Sequence, residues 1–274
     1  MKTLVVLPTY DEAANIVEVV RRIRSAVPAA TVLVVDDNSP DGTADLAQAT
    51  GAEVGQVEVL RRRGKGGLGR AYRAGFAWGL ERGYEVLIEM DADLSHDPAS
   101  LPDLLQAVDD GADAVIGSRY VAGGTIPEWV WHRRALSRWG NRYAAFVLGL
   151  KVADATAGFR AYRGSLLERL DLGGIRADGY GFQIEMTYLA AQAGGAIREV
   201  PIAFRDRARG ESKMSTNIVV EALLLVTWWA VRDRGGRLIG RGRGQRQVPA
   251  RRWWRSPERV ALDEEQQRGL SGGD

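Results

Sequence analysis

The residues best placed to do chemistry are carboxylates that gather where an apolar run ends. In the stretch YEVLIEMDADLSHDP, residues 84–98, Val86 to Met90 read as a strand entering a core. Asp91 and Asp93 follow one residue apart, with Ser95, His96 and Asp97 close behind. Two carboxylates on alternate positions at a strand end can converge on a hard divalent cation. Mg²⁺ or Mn²⁺ takes oxygen ligands and commonly bridges to phosphate. The competing reading is turn and cap chemistry, which suits Asp97 before Pro98. A second acidic strand end, VVDDNSPDGT at 34–43, offers Asp36 or Asp37 as an acceptor for a nucleobase or ribose. Asp41, Gly42 and Thr43 there suit a turn and helix cap. In PTYDE, residues 8–12, Tyr10 could stack on a base, or the segment is a turn opening a helix.

Basic groups stand at complementary places. RRRGKGGLGRAY, 61–72, looks like a phosphate-cradling loop but lacks P-loop spacing, and Gly67 to Gly69 equally open a helix. Arg119 follows a strand pattern; Arg133 and Ser137, four apart, share a helical face. Arg207 and Lys213 lie in a glycine-containing stretch. Arginine binds phosphate in a bidentate way, so these groups suit a pyrophosphate and a second anion; singly, each is also an ordinary solvated base.

Positioning these groups requires alternating elements. Strand patterns at 3–8, 31–37, 55–61, 85–93 and 113–119 alternate with helical patterns at 14–27, 43–51, 67–83 and 99–111. That alternation predicts βαβ units and a mostly parallel sheet, with ligands beyond the carboxyl ends of the strands, where the polar residues fall. An amphipathic helical segment is expected over 123–150, a return to the sheet near 154–162, a helix at 179–194 and a strand with a loop at 197–215. After Val231 the chain becomes Arg/Gly-rich and cannot build a core, so a boundary is placed near 232 and a disordered basic tail is expected.

Composition narrows the class. The 274 residues are 45% hydrophobic and 26% charged, which is ordinary for globular protein. Without cysteine there are no disulfides or thiolate metal sites. No secretory signal is evident, and the longest later apolar stretch, 218–231, is short for a span and carries Glu221. No transmembrane segment is expected. The net charge of +2 conceals ten arginines between 232 and 259, so the isoelectric point near 9.0 describes the tail more than the domain.

Taken together, PTYDE, VVDDNSPDGT, GKGGLGRAY, DADLSHDP, GSRYVAGG, ATAGFRAY, GYGFQIE and EVPIAFRDRARGESK resemble, in order and spacing, the polyprenol (dolichol) phosphate mannose synthases over residues 3 to 231. These are inverting glycosyltransferases of family 2 with a GT-A, Rossmann-like α/β fold. The resemblance implies a mostly parallel sheet flanked by helices over 1–231, a C-terminal interfacial helix at 216–231 and a tail at 232–274. It implies that Pro8, Tyr10, Glu12, Val35 and Asp37 hold the guanosine of GDP-mannose. Asp91, Ala92 and Asp93 would carry Mg²⁺ or Mn²⁺ and the pyrophosphate. Many relatives have glutamine where this chain has Ser95, which would leave the third metal contact to Ser95 or water. Arg119, Arg133 and Ser137 would grip the lipid phosphate, and Arg207 and Lys213 the donor phosphates.

The expected reaction is mannosyl transfer to polyprenyl phosphate by a peripheral enzyme on the cytoplasmic face of an anionic membrane. The Trp-rich segment 126–150, with Trp129, Trp131 and Trp139, the 216–231 helix and the basic tail with Trp253 and Trp254 would touch lipid. No nucleic-acid partner is expected, and no residue identifies a membrane-anchored protein partner. The nearest rival is transfer from a UDP-sugar to the same lipid; a rival of another class is a non-catalytic nucleotide- or RNA-binding protein using the Arg/Gly tail. A dinucleotide oxidoreductase is disfavoured because no G-x-G-x-x-G follows the first strand.

Overall fold

A computed structural model describes residues 1–175, 177, 179–206 and 226–229. In chain order the elements are β1 (Thr3–Thr9), α1 (Ile16–Ala26), β2 (Thr31–Asp36), α2 (Thr43–Val54), β3 (Val57–Arg61), α3 (Leu68–Glu81) and β4 (Val86–Glu89). They continue as α4 (Leu101–Asp109), β5 (Ala114–Ser118), α5 (Trp131–Leu148), β6 (Arg160–Arg163), α6 (Gly164–Arg169), α7 (Gly179–Gln192) and β7 (Ile197–Pro201). The alternation expected over the first 118 residues is present. Seven strands form one sheet in the order β3-β2-β1-β4-β6-β5-β7. All neighbours run parallel except β6, which lies antiparallel between β4 and β5.

Both faces of the sheet are covered, which is why β1 reads as an unbroken apolar run rather than an alternating one. Val5 and Leu7 face α1 and α4 with Val19, Ile23 and Leu104. Leu4 and Val6 face α3 and α7 with Phe76, Phe182 and Met186. The α3 helix lies close on the sheet because Gly79 carries no side chain: a β-carbon there would stand 2.7 Å from Leu4 and from Leu87. A third cluster joins α5 and α7 through Ala144, Ile184 and Tyr188, and it includes Val226 and Trp229. The helical residues 226–229 are the described part of the expected 216–231 helix. Val226 and Trp229 are buried, with Trp229 stacked on Tyr188, while Trp228 is exposed. The rest of that helix and the tail at 232–274 lie outside the described residues.

Two local expectations are corrected. The strand expected over 85–93 ends at Glu89, and the acidic residues beyond it occupy a turn in which Leu94 has φ 63°. The return to the sheet begins at Arg160 rather than 154, because 153–159 is used to build the wall of a cavity.

Candidate active site

At the carboxyl ends of the strands lies a cavity of about 780 Å³. The segment after β1 brings Pro8, Tyr10 and Glu12 to it, and the end of β2 brings Asp37. The turn after β4 brings Asp91, Ala92, Asp93, Ser95 and His96; the end of β5 brings Arg119. Trp129 and Arg133 reach it from the start of α5, Thr156 to Gly158 from the loop before β6, and Tyr180 and Gln183 from α7. The segment after β7 closes one side with Phe204 and Asp206.

The two carboxylates singled out in the sequence share this cavity. Asp91 is about one-third exposed, and its Oδ1 accepts a 3.2 Å hydrogen bond from the Tyr72 hydroxyl. Burial, reinforced by the charge of Asp91, pushes the Tyr72 phenol well up, so it stays a donor. Asp93 is buried, and its Oδ1 accepts the Ser95 amide at 3.0 Å, which closes the turn. His96 is buried beneath them and stacked on Phe159; its Nδ1 accepts the Asp91 amide at 3.4 Å. Burial pushes the imidazole down to about 4, against the pull of Asp93, so His96 is neutral near pH 7. Its role is to hold the turn that presents Asp91.

The chemistry of this donor set fits a hard divalent cation. Two carboxylates and the buried, unpartnered Oγ of Ser95 are all oxygen donors. No group of three His, Cys, Asp or Glu residues gathers for a metal among the described residues. Mg²⁺ is commonly held by one or two carboxylates together with substrate phosphates, so the remaining positions suit a diphosphate.

On the β1–β2 side, Asp36 and Asp37 divide their work. Asp36 accepts bonds from Thr9 Oγ1 at 2.9 Å and from the Ser39 amide and hydroxyl, and is a turn residue. Asp37 lines the cavity, but its two oxygens receive Arg62 Nη1 and the Gly66 amide at 2.8 Å. It therefore also clamps the 62–66 loop, which brings Lys65 to 4.1 Å above the Tyr10 ring. Asp41, Gly42 and Thr43 take the turn and cap roles expected of them: Asp41 accepts from the amide and hydroxyl of Thr43, and Gly42 has φ 81°. Val35 is corrected. Its side chain is fully buried against α3 and does not line the cavity, because β2 is still covered by that helix one position before the strand end.

The opposite wall is built on arginine. Arg119 is buried and its guanidinium binds Asp154 through Nε and Nη2, both at 2.7 Å, with Nη2 also donating to Thr156 Oγ1. Burial opposes the Asp154 charge, but Arg119 overcomes it and holds that carboxyl below its ordinary range. Arg133 lies 4.0 Å over the Trp129 ring and 3.4 Å from Asp206. Ser137 stands back from the cavity: its Oγ accepts the Tyr120 hydroxyl at 2.7 Å, so the shared helical face is real but only Arg133 reaches the cavity. Arg207 and Lys213 lie outside the described residues. Sequence reasoning left Lys65, Tyr72, His96, Asp154 and Gln183 unassigned. Of these, Lys65 carried a readable signal, since it lies in the glycine-rich 61–72 stretch that resembles a phosphate-cradling loop.

Comparison with known proteins identifies the family. Residues 4–171 match the model of glycosyl transferase family 2. The polyprenol monophosphomannose synthase of Mycolicibacterium smegmatis is 50% identical over 240 residues, covering 87% of this chain and 91% of that protein. The undecaprenyl-phosphate mannosyltransferase of Micrococcus luteus is 52% identical over 234 residues, covering 85% and 96%. Among solved structures, glucosyl-3-phosphoglycerate synthase from Mycobacterium tuberculosis in complex with Mn²⁺, UDP-glucose and phosphoglyceric acid superposes with a TM-score of 0.58. It is 20% identical and covers 84% of this chain and 80% of its own, a likeness of fold. The chain belongs to glycosyl transferase family 2, and it is a glycosyltransferase similar throughout its strand-and-helix domain to the polyprenol-phosphate mannosyltransferases.

Proposed function

We propose that this enzyme transfers mannose from GDP-mannose to a polyprenyl phosphate, with inversion, giving polyprenyl phosphate mannose and GDP. The observation that carries the reading is the meeting, in one cavity, of Asp91 and Asp93 with Arg119 and Arg133. Half identity to two mannosyltransferases with polyprenol-type acceptors supports mannose as the sugar and a polyprenyl phosphate as the acceptor.

Tyr10, Glu12 and Asp37 bind the nucleoside. A Mg²⁺ or Mn²⁺ ion held by Asp91 and Asp93, with Ser95 Oγ in reach of the same turn, would supply Lewis-acid neutralisation of the departing diphosphate. Arg119 and Arg133 orient the acceptor phosphate toward the anomeric carbon, which is where most of the protein's own contribution lies. A phosphate monoester is already ionised at neutral pH, so its oxygen attacks without a strong general base. His96 fits that account: it is neutral, and its Nδ1 is engaged by the Asp91 amide. Arg207 and Lys213 are assigned to the donor phosphates.

The acceptor is a membrane lipid, so we assign the enzyme to the cytoplasmic face of an anionic bilayer. Among the described residues no helix is long and apolar enough to cross a membrane. The α5 helix instead exposes Trp131, Leu136, Trp139 and Phe146 beside Arg138 and Arg142. Tryptophan favours the interface, and each base near anionic lipid adds about 1 kcal/mol.

The deciding assay supplies labelled GDP-mannose or UDP-glucose, a polyprenyl phosphate and Mg²⁺ or Mn²⁺. Transfer from GDP-mannose that stops with EDTA or with Asp91→Asn is the expected result. A preference for UDP-glucose, or full activity in EDTA, overturns the donor or the metal assignment respectively. Flotation with anionic liposomes, with and without residues 232–274, separates the contribution of the tail from that of α5.

A further inference from the structure

One buried polar side chain of the cavity has no role in the proposed reaction so far. Gln183, in the first turns of α7, is 2% exposed and lines the cavity, yet neither its Nε2 nor its Oε1 has a hydrogen-bond partner. Its backbone is fully engaged: the carbonyl accepts Arg160 Nη1 and Thr187 Oγ1, both at short range. Its side chain lies against the buried Glu89 carboxyl, which burial pushes up to about 8 and which Arg160 and the Gln183 amide draw part of the way back; that contact falls short of a well-formed bond, and neither Glu89 oxygen has a partner at hydrogen-bond geometry. A buried amide without partners is disfavoured, and native structures that keep one usually keep it for a ligand or a water.

The wall next to Gln183 is bare backbone. A β-carbon built on Gly158 would stand 3.7 Å from Gln183 Nε2, 3.8 Å from Asp91 Oδ2 and 3.8 Å from His96 Cε1. Glycine thus leaves a space the size of one carbon or one hydroxyl, touching an amide, a carboxylate and an imidazole edge. We propose that Gln183 and the space over Gly158 form the subsite for a ring hydroxyl of the donor's hexose. Gln183 is then a specificity-determining residue for the sugar and not for the nucleotide.

Charge selects this class of ligand. Asp91 repels a phosphate oxygen brought to the same space, whereas a hydroxyl donates to Asp91 Oδ2. An amide can both donate to and accept from hydroxyls, which suits adjacent hydroxyls of a pyranose. The last torsion of glutamine is soft, so the amide can turn to meet a hydroxyl placed over Gly158. The inference rests on reading the cavity as the mannosyl-transfer site.

The test compares wild type, Gln183→Leu, Gln183→Glu and Gly158→Ala by calorimetric binding of GDP and by transfer from GDP-mannose and its single-deoxy analogues. Wild-type transfer from GDP-mannose checks the underlying reading; its absence would sink that reading on its own. With transfer present, Gln183→Leu should bind GDP within about twofold of wild type and lose about tenfold or more in kcat/KM. One deoxy sugar that is penalised in wild type should carry no further penalty in Gln183→Leu. Gly158→Ala should reproduce the loss by filling the space. If every deoxy penalty persists unchanged in the Gln183 variants, the subsite is refuted. A parallel fall in GDP affinity and melting temperature refutes it equally, since it marks a structural role. Should Gln183→Leu not fold, Gln183→Glu and Gly158→Ala carry the same comparison.

Discussion

Two of the arginine–aspartate pairs beside the cavity, Arg62–Asp37 and Arg119–Asp154, are built in opposite ways. On the nucleotide wall, Arg62 comes from a loop after the edge strand β3 and meets Asp37 with side-chain exposures of 19% and 7%. On the opposite wall, Arg119 leaves the interior strand β5 and meets Asp154 with exposures of 4% and 0%. Asp154 is fixed in turn by Glu199 of β7, whose oxygens accept the Ala153 and Asp154 amides at 2.7 and 2.9 Å. The first pair ties down the glycine-rich 62–66 loop, which stands on the wall proposed for the nucleotide; the second is part of the rigid frame. The difference also bears on charge. Asp154 holds Arg119 by two short bonds in a buried site, so Arg119 mainly fixes geometry; Asp206 meets Arg133 only at 3.4 Å and half in solvent, so more of the attraction for an anion brought to the cavity falls to Arg133.

The largest expected effect comes from breaking the rigid pair. Asp154→Asn leaves a buried, uncompensated guanidinium and should destabilise the protein by about 3–5 kcal/mol, read by urea or thermal unfolding. A change within experimental error would mean that water reaches Arg119 and the contrast between the walls is false. The same pair sharpens the comparison in acid. Asp154 is held below its ordinary value near 3.8, so its contribution is complete above that value and is lost as pH falls through the lower folded value. Wild type should therefore lose stability below about pH 4 more steeply than Asp154→Asn, a difference that melts taken across that range would detect.

Next in size is the loop pair. Arg62→Ala should weaken GDP binding about tenfold while changing stability by less than about 1 kcal/mol, because Asp37 keeps the Gly66 amide and gains water. Unchanged GDP affinity in calorimetry would show that the loop does not shape the nucleotide wall.

These two pairs also show what could be read in the sequence and what could not. Asp37, Asp91, Asp93 and Arg119 were legible because each ends a strong apolar strand pattern, and strand ends in such sheets face the ligand. Val35, which only the resemblance implied, lies one position before the strand end, where α3 still covers the sheet and its side chain does not reach the cavity. Asp154 and Gln183 were hidden for a different reason. Asp154 lies in a loop without period, 35 positions from its partner. Gln183 sits among the buried residues of a largely apolar helix, where nothing in the pattern marks it out. The antiparallel β6 was out of reach because four residues inserted between β4 and β5 leave no trace of direction in their own pattern.

The smallest effect tests the charge argument itself. Arg133 is about one-third exposed, lies over Trp129 and is 3.4 Å from Asp206, so its removal should leave the fold intact. Arg133→Ala should raise the KM for polyprenyl phosphate about fivefold and leave GDP affinity unchanged. The effect should shrink in higher salt, because a partly exposed charge is screened. Arg133→Lys should recover part of it, keeping the charge but losing the planar fork and its stacking on Trp129. If instead Arg119→Lys raised that KM while Arg133→Ala did not, the balanced, buried arginine would be the one that attracts the acceptor. The two walls would then differ in rigidity alone.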